Sequence, residues 1–227
     1  MYKTRQRKIM EILETLALNK EVTQYSLHKI LGCSYRTILR QLKTLQQMEF
    51  IRLKRTEPSL KGGKEKNVWE ITFKGLLAVL GTRPNIWKNI DRIAEAHRDS
   101  FLLFKKWHLF EPIKKDIIKS MQHGLKTILT IGTLWRVMTR RGLPIYADEE
   151  ELKKSFARDV LGVQIMGYEK EKWNSKLKIN YEAIWKICKK DEELSKFIEE
   201  SHNAWEETIR YEFARVRKAK EVWKSLS

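Results

Sequence analysis

Apolar residues near the start of the chain recur at three- and four-residue steps. Ile9, Ile12, Leu13 and Leu16 predict a helix over about residues 4–18 with a single buried stripe. From Thr23 to Leu42 the same periodicity appears twice, interrupted by Gly32. Thr23 can N-cap a short first helix with Leu27, Ile30 and Leu31 on its apolar face, and Gly32 can take the left-handed conformation that ends it. Ser34 then caps a second helix, on which Ile38, Leu42 and Leu45 point inward as it runs to about Met48. The period next changes from helical to alternating. Residues 50–55 read as a strand, and residues 68–73 as another with Trp69, Ile71 and Phe73 on one face. Between them lie Pro58, Gly62 and Gly63 among Lys61, Lys64 and Lys66, which predicts a hairpin with a long basic tip.

Thr72 can cap a further short helix over about residues 74–80, after which Gly81-Thr82-Arg83-Pro84 gives the clearest break in the chain. That break divides the sequence into residues 1–82 and 83–227. The second part shows long helical periodicities and few strand-like alternations, which predicts an all-helical unit. Helices are expected over about residues 86–107, 113–122, 125–141, 149–161, 168–189 and 192–226. The third of these, apolar around much of its circumference, is expected at the centre of the core, and Asp148 with Glu151 forms a capping box for the next. The last carries Leu194, Phe197, Ile198, Trp205, Ile209, Phe213, Val216, Trp223 and Leu226, and at 1.5 Å per residue it is about 50 Å long. A helix that outruns its domain and keeps large aromatics on one stripe suits packing on a second copy, giving a homodimer. The alternative is the closing helix of a monomeric bundle.

Charge adds a partner. Lys and Arg outnumber Asp and Glu by 46 to 29, a net charge of +17 that attracts polyanions, with nucleic acid first among them. Both parts are basic, with 16 Lys and Arg against 7 acidic residues in residues 1–82 and 30 against 22 in the remainder. Basic pairs such as Lys114-Lys115 and Arg140-Arg141 on the later helices read first as solvated faces, and a second nucleic-acid surface there is the alternative. The longest apolar tract, residues 127–135, is far short of the about 20 residues that span a bilayer. No membrane partner is expected. The basic start leads into an amphipathic helix instead of an apolar signal core, so a cytoplasmic, nucleoid-associated location is expected. Two cysteines, Cys33 and Cys188, and five histidines without paired ligand spacing predict neither a disulfide framework nor a metal site.

Residues 1–80 resemble the winged helix-turn-helix domain of prokaryotic transcriptional regulators, in the broad MarR and PadR style. The resemblance rests on the leucine, glycine-turn, serine and basic-helix order of residues 24–42, and on the run Trp69-Glu70-Ile71-Thr72-Phe73-Lys74-Gly75, similar to the second wing strand of that family. It implies three helices plus a β-hairpin wing in residues 1–82, so that with the all-α helical domain expected after them the chain is mainly α. His28 stands where such domains usually carry alanine.

The resemblance makes the second helix of the pair the element that enters the major groove of double-stranded DNA. With Ile38 facing the core, Arg36, Arg40, Lys43 and Gln47 fall outward, and Thr37 and Thr44 lie beside them. Arg36, Thr37, Arg40 and Gln41 are expected near base edges or flanking phosphates, since Arg can bond guanine and Gln adenine through two atoms each. Tyr35 is expected to stack or to reach a phosphate, with Ser34 beside it in the same role, and Lys54, Arg55, Lys61, Lys64 and Lys66 form the wing that grips backbone or minor groove. The sequence holds no glycine-rich phosphate loop, nucleophile elbow, zinc signature or convergent histidine and carboxylate set, so neither catalysis nor a cofactor is expected. The expected function is a sequence-specific, DNA-binding transcriptional regulator whose helical domain dimerises or senses a small-molecule or protein effector. Seven of the eight tryptophans lie in that domain, mostly as expected core, with an effector pocket as their other use. The alternative is a winged helix used as a protein-interaction or replication-initiation module.

Overall fold

Capping chemistry sets most element boundaries in the first third of the chain. The computed structural model describes residues 2–58, 65–139, 149–163 and 178–225, and the side chains of 7–58, 65–126, 149–163 and 178–223 among them. α1 (Tyr2–Ala17) is followed by the two-residue strand β1 (Val22–Thr23), α2 (Gln24–Leu31), α3 (Tyr35–Gln47), β2 (Ile51–Glu57), β3 (Lys66–Ile71) and α4 (Phe73–Thr82). Thr23, Ser34 and Thr72 each accept a hydrogen bond from the backbone N–H three residues on, as N-caps of α2, α3 and α4. Gly32 ends α2 with φ of 58°. Glu49 takes the same left-handed conformation past the end of α3, where its N–H donates to the Gln46 carbonyl and the Phe50 N–H to that of Leu45.

The sheet is antiparallel in the order β1-β3-β2, with Val22 opposite Trp69 and Ile51 opposite Ile71. A bulge between Leu53 and Arg55 leaves Lys54 outside the regular pairing. β1 escaped the sequence reading because two residues carry no alternation. Gly75 lies so close to the Phe50 carbonyl that a Cβ there would collide with backbone. Thr72 locks the same corner, its N–H donating to the Phe50 carbonyl and its hydroxyl to that of Glu49. Together they seat the start of α4 on the turn between α3 and β2.

Beyond Arg83 the expected helix over residues 86–107 is broken into a 3₁₀ turn (Pro84–Asn89), α5 (Ile90–Ala96), α6 (Leu102–Lys105) and a second 3₁₀ turn (Trp107–Ile113). The break after α5 has a tertiary cause. The buried His97 ring donates from Nε2 to the Ala17 carbonyl at the end of α1, at 2.9 Å, and Phe101 is extended. The two helices expected over 113–122 and 125–141 are one, α7 (Lys114–Thr139). Gly124 does not interrupt it, because the position gives close packing against Phe156 and Val160 of α8 (Glu149–Leu161). Asn180 caps α9 (Tyr181–Cys188), so no helix runs unbroken from residue 168, and α10 (Glu192–Ser225) closes the described chain. The expected capping role of Asp148, Trp135 and Trp173, and the central packing of residues 127–139, lie outside the described residues or side chains.

The chain is thus mainly helical with one small sheet. Ile12, Leu13, Leu16, Leu27, Ile38, Leu42 and Leu45 are buried as their periodicity requires, whereas Ile30, expected inward, is 60% exposed. The buried residues form one cluster that runs from Ile12 to Leu194 across Arg83. Phe73 of α4, Phe101 and Phe156 of α8 meet at its centre, with ring centroids 4.7 to 5.9 Å apart. Each fully buried aliphatic side chain contributes about 1.5–3 kcal/mol, against at most about 1 kcal/mol for an exposed ion pair. Core burial, rather than surface charge, therefore holds α3 in place.

Candidate nucleic-acid interface

The face that α3 turns outward is built by helical arithmetic. Ile38, Leu42 and Leu45 are fully buried, and at 100° per residue this leaves Arg36, Leu39, Arg40, Lys43 and Gln47 exposed along one stripe. The helix contains no acidic residue. Among the described residues, Arg36, Arg40 and Lys43 make no ion pair, so a row of cations stands unneutralised at the surface. Leu39 is 40% exposed in the middle of that row. The sequence reading missed it, because leucine in an amphipathic helix defaults to the core.

Gln41 requires correction. Expected at a base edge, it is 1% exposed and its Oε1 is buried without a hydrogen-bond partner. The reason was present in the sequence. Position 41 lies three residues past Ile38 and four before Leu45, inside the buried stripe.

The polar residues at the start of α3 are engaged within the protein. Ser34 Oγ accepts the Thr37 N–H at 3.2 Å and hydrogen-bonds the Thr37 hydroxyl at 2.8 Å. Tyr35 donates its hydroxyl to Gln24 Oε1 of α2 at 2.6 Å, leaving its ring half-exposed. Thr44 donates to the Arg40 carbonyl. These bonds orient the helix and leave the long cations as the groups with free donors. His28, the departure from the resembled pattern, is half-buried, and its Nδ1 donates to the Cys33 carbonyl across the turn. It thereby ties the end of α2 to the start of α3. Beside it, Lys29 lies 4.6 Å from the centroid of the exposed Tyr25 ring, a cation of α2 that was not singled out from sequence.

The hairpin differs from α3 in its charge state. Lys54 pairs with Glu70 at 3.1 Å, Arg52 with Glu70 at 2.6 Å, and Arg55 with both Glu21 and Glu57. Burial would raise the Glu70 carboxyl, but the hydrogen bonds from Arg52 and Lys54 outweigh it and hold the group below the usual range. Lys54 and Arg55, expected as free wing contacts, therefore have carboxylate partners on or next to the sheet. Lys66 is exposed at the start of β3, and Lys61 and Lys64 lie outside the described residues.

No protein-family model matches the chain, and no curated protein matches it. Among the described residues no group of three His, Cys, Asp or Glu side chains is placed to share a metal ion, and no helix is long and apolar enough to cross a membrane. Cys33 and Cys188 are both free, and burial pushes the Cys188 thiol up to about 12.

Proposed function

We propose that this protein is a sequence-specific, double-stranded-DNA-binding transcriptional regulator with a winged helix-turn-helix at its N-terminal end. α3 would be the recognition helix, entering the major groove, and the β2–β3 hairpin the wing. The observation that carries the reading is the contrast in charge pairing: among the described residues Arg36, Arg40 and Lys43 project from α3 without carboxylate partners, while the nearby Arg52, Lys54 and Arg55 are paired. Unpaired guanidinium groups on one helical stripe suit guanine O6 and N7, and Leu39 among them suits the methyl group of thymine. Net charge of +17 adds attraction for the backbone that is independent of sequence. Such a regulator works on the nucleoid, in the cytoplasm.

Genome-wide mapping of bound fragments identifies the operator, and titration of that duplex measures the affinity. Log affinity should fall against log salt with a slope of about −0.9 per neutralised phosphate. Arg36→Glu with Arg40→Glu should weaken operator binding by at least about 100-fold, the loss expected for two bidentate base contacts. Because both side chains are exposed and unpaired, unfolding stability should change by less than about 1 kcal/mol. Unchanged affinity in a folded double variant rejects the assignment of α3 and favours a protein-docking use of the fold.

A further inference from the structure

Beyond Ser201 the last helix leaves the body of the protein. Every residue from 203 to 223 is exposed, including Trp205 at 46%, Phe213 at 65% and Val216 at 51%. Trp205, Ile209, Glu212, Val216, Ala219 and Trp223 succeed one another at alternating steps of four and three residues, the spacing of a two-helix seam. The charge along this helix is polarised. Within the exposed segment Glu206, Glu207 and Glu212 outnumber Arg210 in the first half, and Arg215, Arg217, Lys218 and Lys220 outnumber Glu221 in the second.

We infer that this helix binds the same helix of a second copy of the chain in antiparallel orientation, forming a homodimer. Charge decides the orientation. Parallel helices would set the two basic ends side by side, whereas antiparallel pairing of the exposed segments sets the acidic start of each against the basic end of the other. In the symmetric register Trp205 packs on Trp223 of the second copy and Ile209 on Ala219, a large residue against a small one, while Glu212 lies beside Val216 at the middle with its carboxylate held toward the edge by its own Arg215. Along one edge Glu206 meets Lys220 and Phe213 meets its own counterpart. Along the other Arg215 faces itself, neutralised by its own Glu212 at 2.9 Å. Dimerisation through this helix requires no nucleic acid.

Sedimentation equilibrium of the full chain should give a dimer. Ile209→Glu with Val216→Glu should make it monomeric with an unchanged far-ultraviolet spectrum, since both positions are exposed. Orientation is read by disulfide capture: a Glu206→Cys chain mixed with a Lys220→Cys chain should form the mixed disulfide in large excess over either same-site product. A monomer at tens of micromolar, a dimer indifferent to the paired glutamates, or predominance of same-site disulfides overturns the proposal.

Discussion

Single residues carry costs that their immediate surroundings make measurable. The Gln41 Oε1 is an acceptor removed from water and left without a donor, which costs about 1–3 kcal/mol. Gln41→Met keeps the volume and removes that acceptor. It should raise unfolding free energy by about 1 kcal/mol in a urea titration and leave operator affinity unchanged, because the side chain faces the core. Asp159 is a second such residue. Desolvation pushes its carboxyl up to about 6, with Arg158 pulling weakly the other way. A carboxyl raised in this way stabilises the fold fully below its unfolded value near 3.8, and the contribution is lost as pH rises through 6. Asp159→Asn should therefore be more stable than the parent at pH 7.5, by about 1–3 kcal/mol, with the gap closing as pH falls to 4. Thermal melts across that range check both the sign and the window. His97 acts in the opposite sense, since burial lowers its pKa and its contribution is lost on acidification. The comparison with Asn isolates the carboxyl.

At the scale of elements, what was legible in the sequence was local. The caps at Thr23, Ser34 and Thr72 and the left-handed Gly32 depend on residues three or four apart, and all four were readable. So was the outward direction of Arg36, Arg40 and Lys43, which follows from helical geometry once Ile38 is assigned to the core. The misread elements depended on distant partners. α5 stops because His97 bonds a carbonyl 80 residues earlier, and α7 continues through Gly124 because α8 packs on it. Nor did the sequence disclose that Lys54 and Arg55 are paired, since Glu70 and Glu21 reach them only through sheet geometry. Gly75 shows how a short motif encodes an element junction. Gly75→Ala would drive a methyl group into the Phe50 carbonyl, and moving that backbone should cost about 3 kcal/mol. Equilibrium unfolding measures the loss, and the Ala78→Gly variant, at a half-buried site of the same helix, should lose only about 1 kcal/mol.

For the whole molecule, the continuity of buried side chains across Arg83 governs how it unfolds. Arg92 donates to the Leu18 carbonyl and to Asn19 as well, adding surface ties to the shared core. Unfolding followed by tryptophan fluorescence and by circular dichroism should give coincident transitions. A chain ended at Thr82 would bare Phe73, Leu77 and Leu80, all buried in the full protein, and should be poorly soluble. Two separated transitions, or a well-behaved fragment, would show instead that the first 82 residues are self-sufficient.

The three phenylalanines at the centre give this continuity a mechanical meaning. Phe73 opens α4 two residues past the strand that carries Trp69, Phe156 belongs to α8, and Phe101 packs on both, with an interplanar angle of 44° to Phe73. Interlocked rings do not slide freely; they move between discrete settings, because close-packed interiors resist continuous deformation. A twist of α8 therefore loads Phe73 through this ring contact, beside the Arg52–Glu149 ion pair that ties the same helix to β2.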